Sequence, residues 1–127
     1  MHLGTLIAVA TGGAVGSLAR HLLAGQITHV LGHGFPWGIL IVNVIGCFAM
    51  GVIVELSALT LNLSPDLRAF LTVGVLGGFT TFSAFALDVG VLSERGDLLN
   101  SVLYVAGSVG GSITALFAGL ALVRAMV

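Results

Sequence analysis

The chain has 127 residues, 57% of them hydrophobic and only 7% charged, with a formal net charge of −1. A soluble domain carries about 25% charged residues, so this composition excludes one and points to a membrane protein in contact with the lipid bilayer. The near-neutral balance, four arginines against five acids, gives no footprint for nucleic acid.

Met1-His2-Leu3-Gly4 lacks the basic start of a cleavable signal, so the first apolar span is expected to be retained. That span runs from about Leu3 to His29, and Gly12, Gly13 and Gly16 suit it to tight packing. Arg20 is its costly residue, at about 2.5–3.5 kcal/mol if held at a helix centre. It either snorkels to the interface or faces a wet vestibule, where it would attract anions. His21, His29 and His33 lie near the following loop without carboxylate support, so no metal site is assigned to them. Gly32-His33-Gly34-Phe35-Pro36 closes the hairpin, and Trp37 is a natural interface anchor.

The second span runs from about Trp37 to Leu61. Asn43 is the strongly polar side chain in an apolar run, readable as interhelical glue at about 0.6 kcal/mol or as a pore-lining donor. The single cysteine, Cys47, sits in the same run and has no partner for an intrachain disulfide. Ser64-Pro65 reads as the cap and first residue of the third span, about Asp66 to Glu94. Its centre, Gly74-Val75-Leu76-Gly77-Gly78-Phe79-Thr80-Thr81, makes a poor helix, since each Gly costs roughly 1 kcal/mol against Ala. A helix loosened there leaves carbonyls that hydrocarbon does not satisfy, so the stretch is expected to be a mid-membrane break facing protein, water or an ion. The plainer reading is a small-xxx-small packing face through Gly74 and Gly78. Phe82 and Phe85 follow on one face, and their positive ring edges suit a small anion. Asp88 is expected either to pair with Arg20 or to cap the broken helix.

Gly96 and Asp97 mark a stop and a new cap, and the fourth span runs from about Asp97 to Val123. Tyr104, Ser108 and Ser112 recur every four residues and place three hydroxyls in one stripe. They either bond to their own preceding turns or form a polar track along a pore wall. The whole chain therefore reads as one all-α, four-span domain. Arg68 and Arg124 fall on one side of the membrane, Arg20 and Arg95 on the other. That tie in the positive-inside count predicts dual topology, with copies paired antiparallel. No nucleophile–base set, P-loop or dinucleotide fingerprint is present, so no enzyme activity is expected.

Three motifs together resemble the Fluc (CrcB) family of small fluoride channels over essentially the whole length. They are Gly12-Gly13-Ala14-Val15-Gly16-Ser17-Leu18-Ala19-Arg20, Trp37-Gly38-Ile39-Leu40-Ile41-Val42-Asn43-Val44-Ile45-Gly46, and Gly77-Gly78-Phe79-Thr80-Thr81-Phe82-Ser83-Ala84-Phe85. The resemblance implies an antiparallel homodimer with two pores in a prokaryotic inner membrane, passing fluoride passively to relieve its toxicity. It further implies a structural sodium ion at the dimer centre, held by the backbone carbonyls of Gly77 and Thr80. Phe82, Phe85 and Asn43 would line the fluoride path, Tyr104, Ser108 and Ser112 its polar track, and Arg20 its vestibule. Ile39 and Ala84 depart from the threonines usual in the family, which lowers local polarity. The alternative is a four-span dual-topology multidrug exporter coupled to protons, but such exporters typically carry an acid in the first span and this chain does not.

Overall fold

A computed structural model describes residues 2–127. Among these the regular structure is all helical, in four apolar runs: Leu3–Leu31, Trp37–Leu59, Pro65–Glu94 and Leu98–Met126. The shortest has 23 residues. At 1.5 Å per residue it reaches about 35 Å, enough to cross a hydrocarbon core of about 30 Å. The chain is a multi-pass membrane protein. We label the first two helices α1 (Leu3–Leu31) and α2 (Trp37–Leu59).

Local chemistry sets the ends. Gly32 stops α1 with φ 89°, and Gly96 ends the third span with φ 75°, both left-handed conformations that favour glycine. Ser64 caps the third span by accepting the Leu67 N–H at 3.1 Å, with Pro65 at the first helical position. Asp97 accepts the Asn100 N–H at 3.4 Å to begin the last helix.

The third span is not uniform. It comprises α3 (Pro65–Ala69), a π-helical stretch (Phe70–Leu76), α4 (Gly77–Phe79) and α5 (Phe82–Glu94). Between α4 and α5 the backbone is extended, with ψ 155° at Thr80 and φ −152°, ψ 120° at Thr81. The irregular residues are therefore the two β-branched threonines, which tolerate extended backbone. Gly77 stays helical at φ −63°, ψ −37°. Thr81 also restarts the helix, its Oγ1 accepting the Ala84 N–H at 3.1 Å.

The glycines serve close approach. A Cβ at Gly12 would sit 2.6 Å from the Phe70 carbonyl, one at Gly78 would sit 2.7 Å from the Gly13 carbonyl, and one at Gly16 would overlap the Val75 carbonyl. So α1 and the third span pack backbone against backbone, and for Gly74 and Gly78 the plainer packing reading holds. The last helix, α6 (Leu98–Met126), packs on α2 in the same way. Cβ atoms at Gly51 and Gly119 would overlap the carbonyls of Leu116 and Phe48. The end of that seam carries an ion pair, Arg124 to the buried Glu55 at 2.9 Å. Large apolar side chains such as Leu18, Leu99 and Phe117 face away from the chain's own helices, as lipid or another membrane protein requires.

Candidate functional site

The site forms around Thr80 and Thr81. Asn43 on α2 reaches the extended segment with both ends of its amide: Oδ1 accepts the Thr81 N–H at 2.8 Å, and Nδ2 donates to the Thr81 carbonyl at 3.1 Å. The Thr81 N–H is thereby turned away from the Gly77 carbonyl, its partner in an unbroken helix. From α1, Arg20 points Nη1 at the Thr80 carbonyl, 3.5 Å away. The glue reading of Asn43 thus finds a basis, and one amide N–H remains uncommitted.

Two cavities meet here. The first is an open cavity of about 900 Å³ beside the Gly32–Pro36 loop, lined by Arg20, His21, His29, His33, Ser83 and Asp88 among others. Ile39 and Ala84 contribute apolar wall where hydroxyls were expected from the resemblance. The second is a groove of about 310 Å³ between α2, α6 and the threonines. Asn43, Cys47, Thr80, Thr81, Phe82, Phe85, Ser108 and Ser112 line it, with no ionisable carboxylate or basic group among them. Thr81 borders both spaces.

The groove wall is mostly apolar, with Val109 and Ile113 beside the two phenylalanines, and its few polar groups are uncharged. Phe82 and Phe85 lie with ring centroids 5.4 Å apart, Phe82 76% exposed and Phe85 buried. Ser108 is 5% exposed, with its Oγ buried beside the Tyr104 hydroxyl one turn earlier on α6. Tyr104 shares the stripe of Ser108 and Ser112 but is fully buried and donates its O–H to Asp88 Oδ2 at 2.9 Å. Asp88 therefore neither pairs with Arg20 nor caps the interrupted helix. The Tyr104 ring also joins an aromatic series, Trp37, Phe35, Tyr104, Phe85 and Phe82, with successive centroids 4.7, 5.5, 5.2 and 5.4 Å apart.

Of the residues singled out from sequence, the groove gathers Asn43, Thr80, Phe82, Phe85, Ser108 and Ser112. Arg20 lines the larger cavity. Gly77 lies on the outer face of the third span, where a Cβ would meet only the Thr72 carbonyl at 3.5 Å. Thr81 and Ser83 are linked Oγ1 to Oγ at 3.2 Å; the sequence marked both as part of the irregular central stretch, in the Thr-Thr-Phe-Ser order after Gly77-Gly78-Phe79, without assigning either to the pore.

The family model described as "CrcB-like protein, Camphor Resistance (CrcB)" matches residues 7–120. The chain is 51% identical over 119 residues to a Rhizobium etli protein named fluoride-specific ion channel FluC, covering 94% of this chain and 95% of that relative. A Rhodospirillum centenum protein of the same name is 52% identical over 122 residues, 96% of this chain and 97% of its own. One from Agrobacterium fabrum is 53% identical over 116 residues, 91% and 93% respectively.

Proposed function

The chain belongs to the CrcB family, and on that premise we propose that it is a fluoride-selective passive channel exporting cytoplasmic fluoride across a prokaryotic inner membrane. The carrying observation is a groove without charged side chains where Asn43, with one amide N–H uncommitted, stands beside Phe82, Phe85 and Ser112. A small, hard anion leaving water needs replacement donors, and Asn43, Ser108 and Ser112 supply them with the ring edges of Phe82 and Phe85, whereas the Thr80 hydroxyl is committed to the Leu76 carbonyl. A fixed charge in the groove would hold the ion too tightly to release it. Arg20 belongs in the vestibule, where its charge raises the local anion concentration without blocking the path. Thr81 hands the ion from vestibule to groove, and Tyr104 ends the track beside Asp88.

The groove is open on the side away from the chain's own helices, which suits completion by a second copy. We assign an antiparallel homodimer with two pores, its third spans meeting at mid-membrane through the outward face of Gly77. The residues there fit a small monovalent cation. The Gly77 carbonyl has lost its helical donor to the Asn43 clamp, and the Thr80 carbonyl, on extended backbone, has only a long contact to Arg20. Carbonyl oxygens of this kind suit hard cations such as sodium. When bound, such an ion supplies fixed positive charge between the subunits.

Growth tests the export role. Bacteria lacking their own fluoride exporter should regain growth in fluoride medium when they express this chain, and should lose it again with Phe82→Ala. Growth that stays fluoride-sensitive despite normal membrane expression contradicts the proposal.

A further inference from the structure

We propose that His21, His29 and His33 make the larger cavity an anion-collecting entrance that acid switches on, so that fluoride flux rises as pH falls; this rests on the fluoride-channel reading. All three histidines are exposed and line that cavity with Arg20 and Asp88. Their spacing explains why. His29 lies just over two turns after Arg20 and His21, and His33 follows four residues on, so all share one stripe of α1 and the loop after it. Gly25 lines the same wall between them, and a Cβ there would meet nothing within 4 Å, so the stripe faces open space. From Arg20 to His29 it covers about 14 Å of helix. Its inner end is Arg20, with Nη1 3.5 Å from the Thr80 carbonyl, and its outer end is His33.

No other ionisable side chain lines this cavity. From the facing α5, Asp88 brings one negative charge, and Tyr104 of α6 donates to it at 2.9 Å. From α2 come only Gly38 and Ile39. Arg95 donates to the Gly34 carbonyl at 3.2 Å and adds a fixed positive charge beside the mouth. With neutral histidines, the lining charges of Arg20 and Asp88 cancel. Histidine is the side chain that changes charge between pH 5 and 8, and three protonated rings leave the lining at +3. Three unit charges about 10 Å from an anion raise its local concentration roughly fourfold in dilute salt. At about 1 M salt the screening length shrinks to about 3 Å and the gain vanishes.

Fluoride current in planar bilayers is the measurement, because neutral hydrogen fluoride carries none. Each protein is compared with its own current at pH 7.5, at ionic strengths of about 0.01 M and about 1 M. The unaltered protein should gain roughly fourfold in current on going to pH 5.5 in dilute salt, and stay level in concentrated salt. The triple variant His21→Gln, His29→Gln, His33→Gln should stay level in both. A gain that the triple variant keeps belongs to Asp88 and overturns the proposal. Unaltered protein whose current ignores pH, or gains equally at both salt concentrations, overturns it too. Absence of fluoride current at every pH overturns the channel reading first, and so separates the two failures.

Discussion

Asn43 commits both ends of its amide to the Thr81 peptide group, so its first task is to hold backbone. Asn43→Asp exchanges the N–H that satisfies the Thr81 carbonyl for a lone pair facing it, at about 1–3 kcal/mol. It also sets a negative charge in an anion path. We expect lower thermal stability in detergent and fluoride efflux reduced about tenfold or more, by that same penalty; unchanged efflux would remove Asn43 from the path. The two phenylalanines separate packing from conduction. Phe85 is 7% exposed and touches Tyr104, so Phe85→Ala should cost about 3–5 kcal/mol in stability as well as flux. Phe82 is 76% exposed on this chain, so Phe82→Ala should leave the fold of each subunit intact while flux falls. Equal melting losses in both variants would contradict this division.

The helices owe their arrangement to where a side chain is missing. Gly16→Ala drives a Cβ into the Val75 carbonyl, an overpacking of about 1–3 kcal/mol or more. Gly25→Ala meets nothing within 4 Å and exchanges Gly for a better helix former, so it should be neutral or mildly stabilising. Thermal melts of the two purified variants check the contrast, and similar melts would mean the α1 seam is looser than described. Span number, caps and glycine seams were readable from sequence, because apolar length, Ser64-Pro65 and Gly-rich spacing are local signals. The π-helical stretch and the siting of the irregular backbone at Thr80 and Thr81 were not. Glycine propensity marked the weak region, but the Asn43 clamp that selects the threonines comes from 38 residues away. The Asp88–Tyr104 bond and the Glu55–Arg124 pair escaped for the same reason, since each joins separate helices.

The whole molecule is a thin four-helix unit whose apolar exterior and open groove call for a second copy. On the dual-topology proposal, Arg95 and Arg20 are set against Arg68 and Arg124 across the membrane, a tie that leaves insertion without a net instruction. Reporters fused to the C-terminus should therefore show both orientations in comparable amounts, and a single orientation would rule out the antiparallel pair. The selectivity proposed for the groove belongs to this scale too, since its lining residues come from α2, α6 and the third span together. The most direct test is anion efflux from liposomes holding the purified protein, with fluoride and chloride measured side by side after a potassium ionophore releases the membrane potential. Rapid fluoride loss with chloride retained is the result expected of a groove of neutral donors; equal loss of both halides, or of neither, would contradict it.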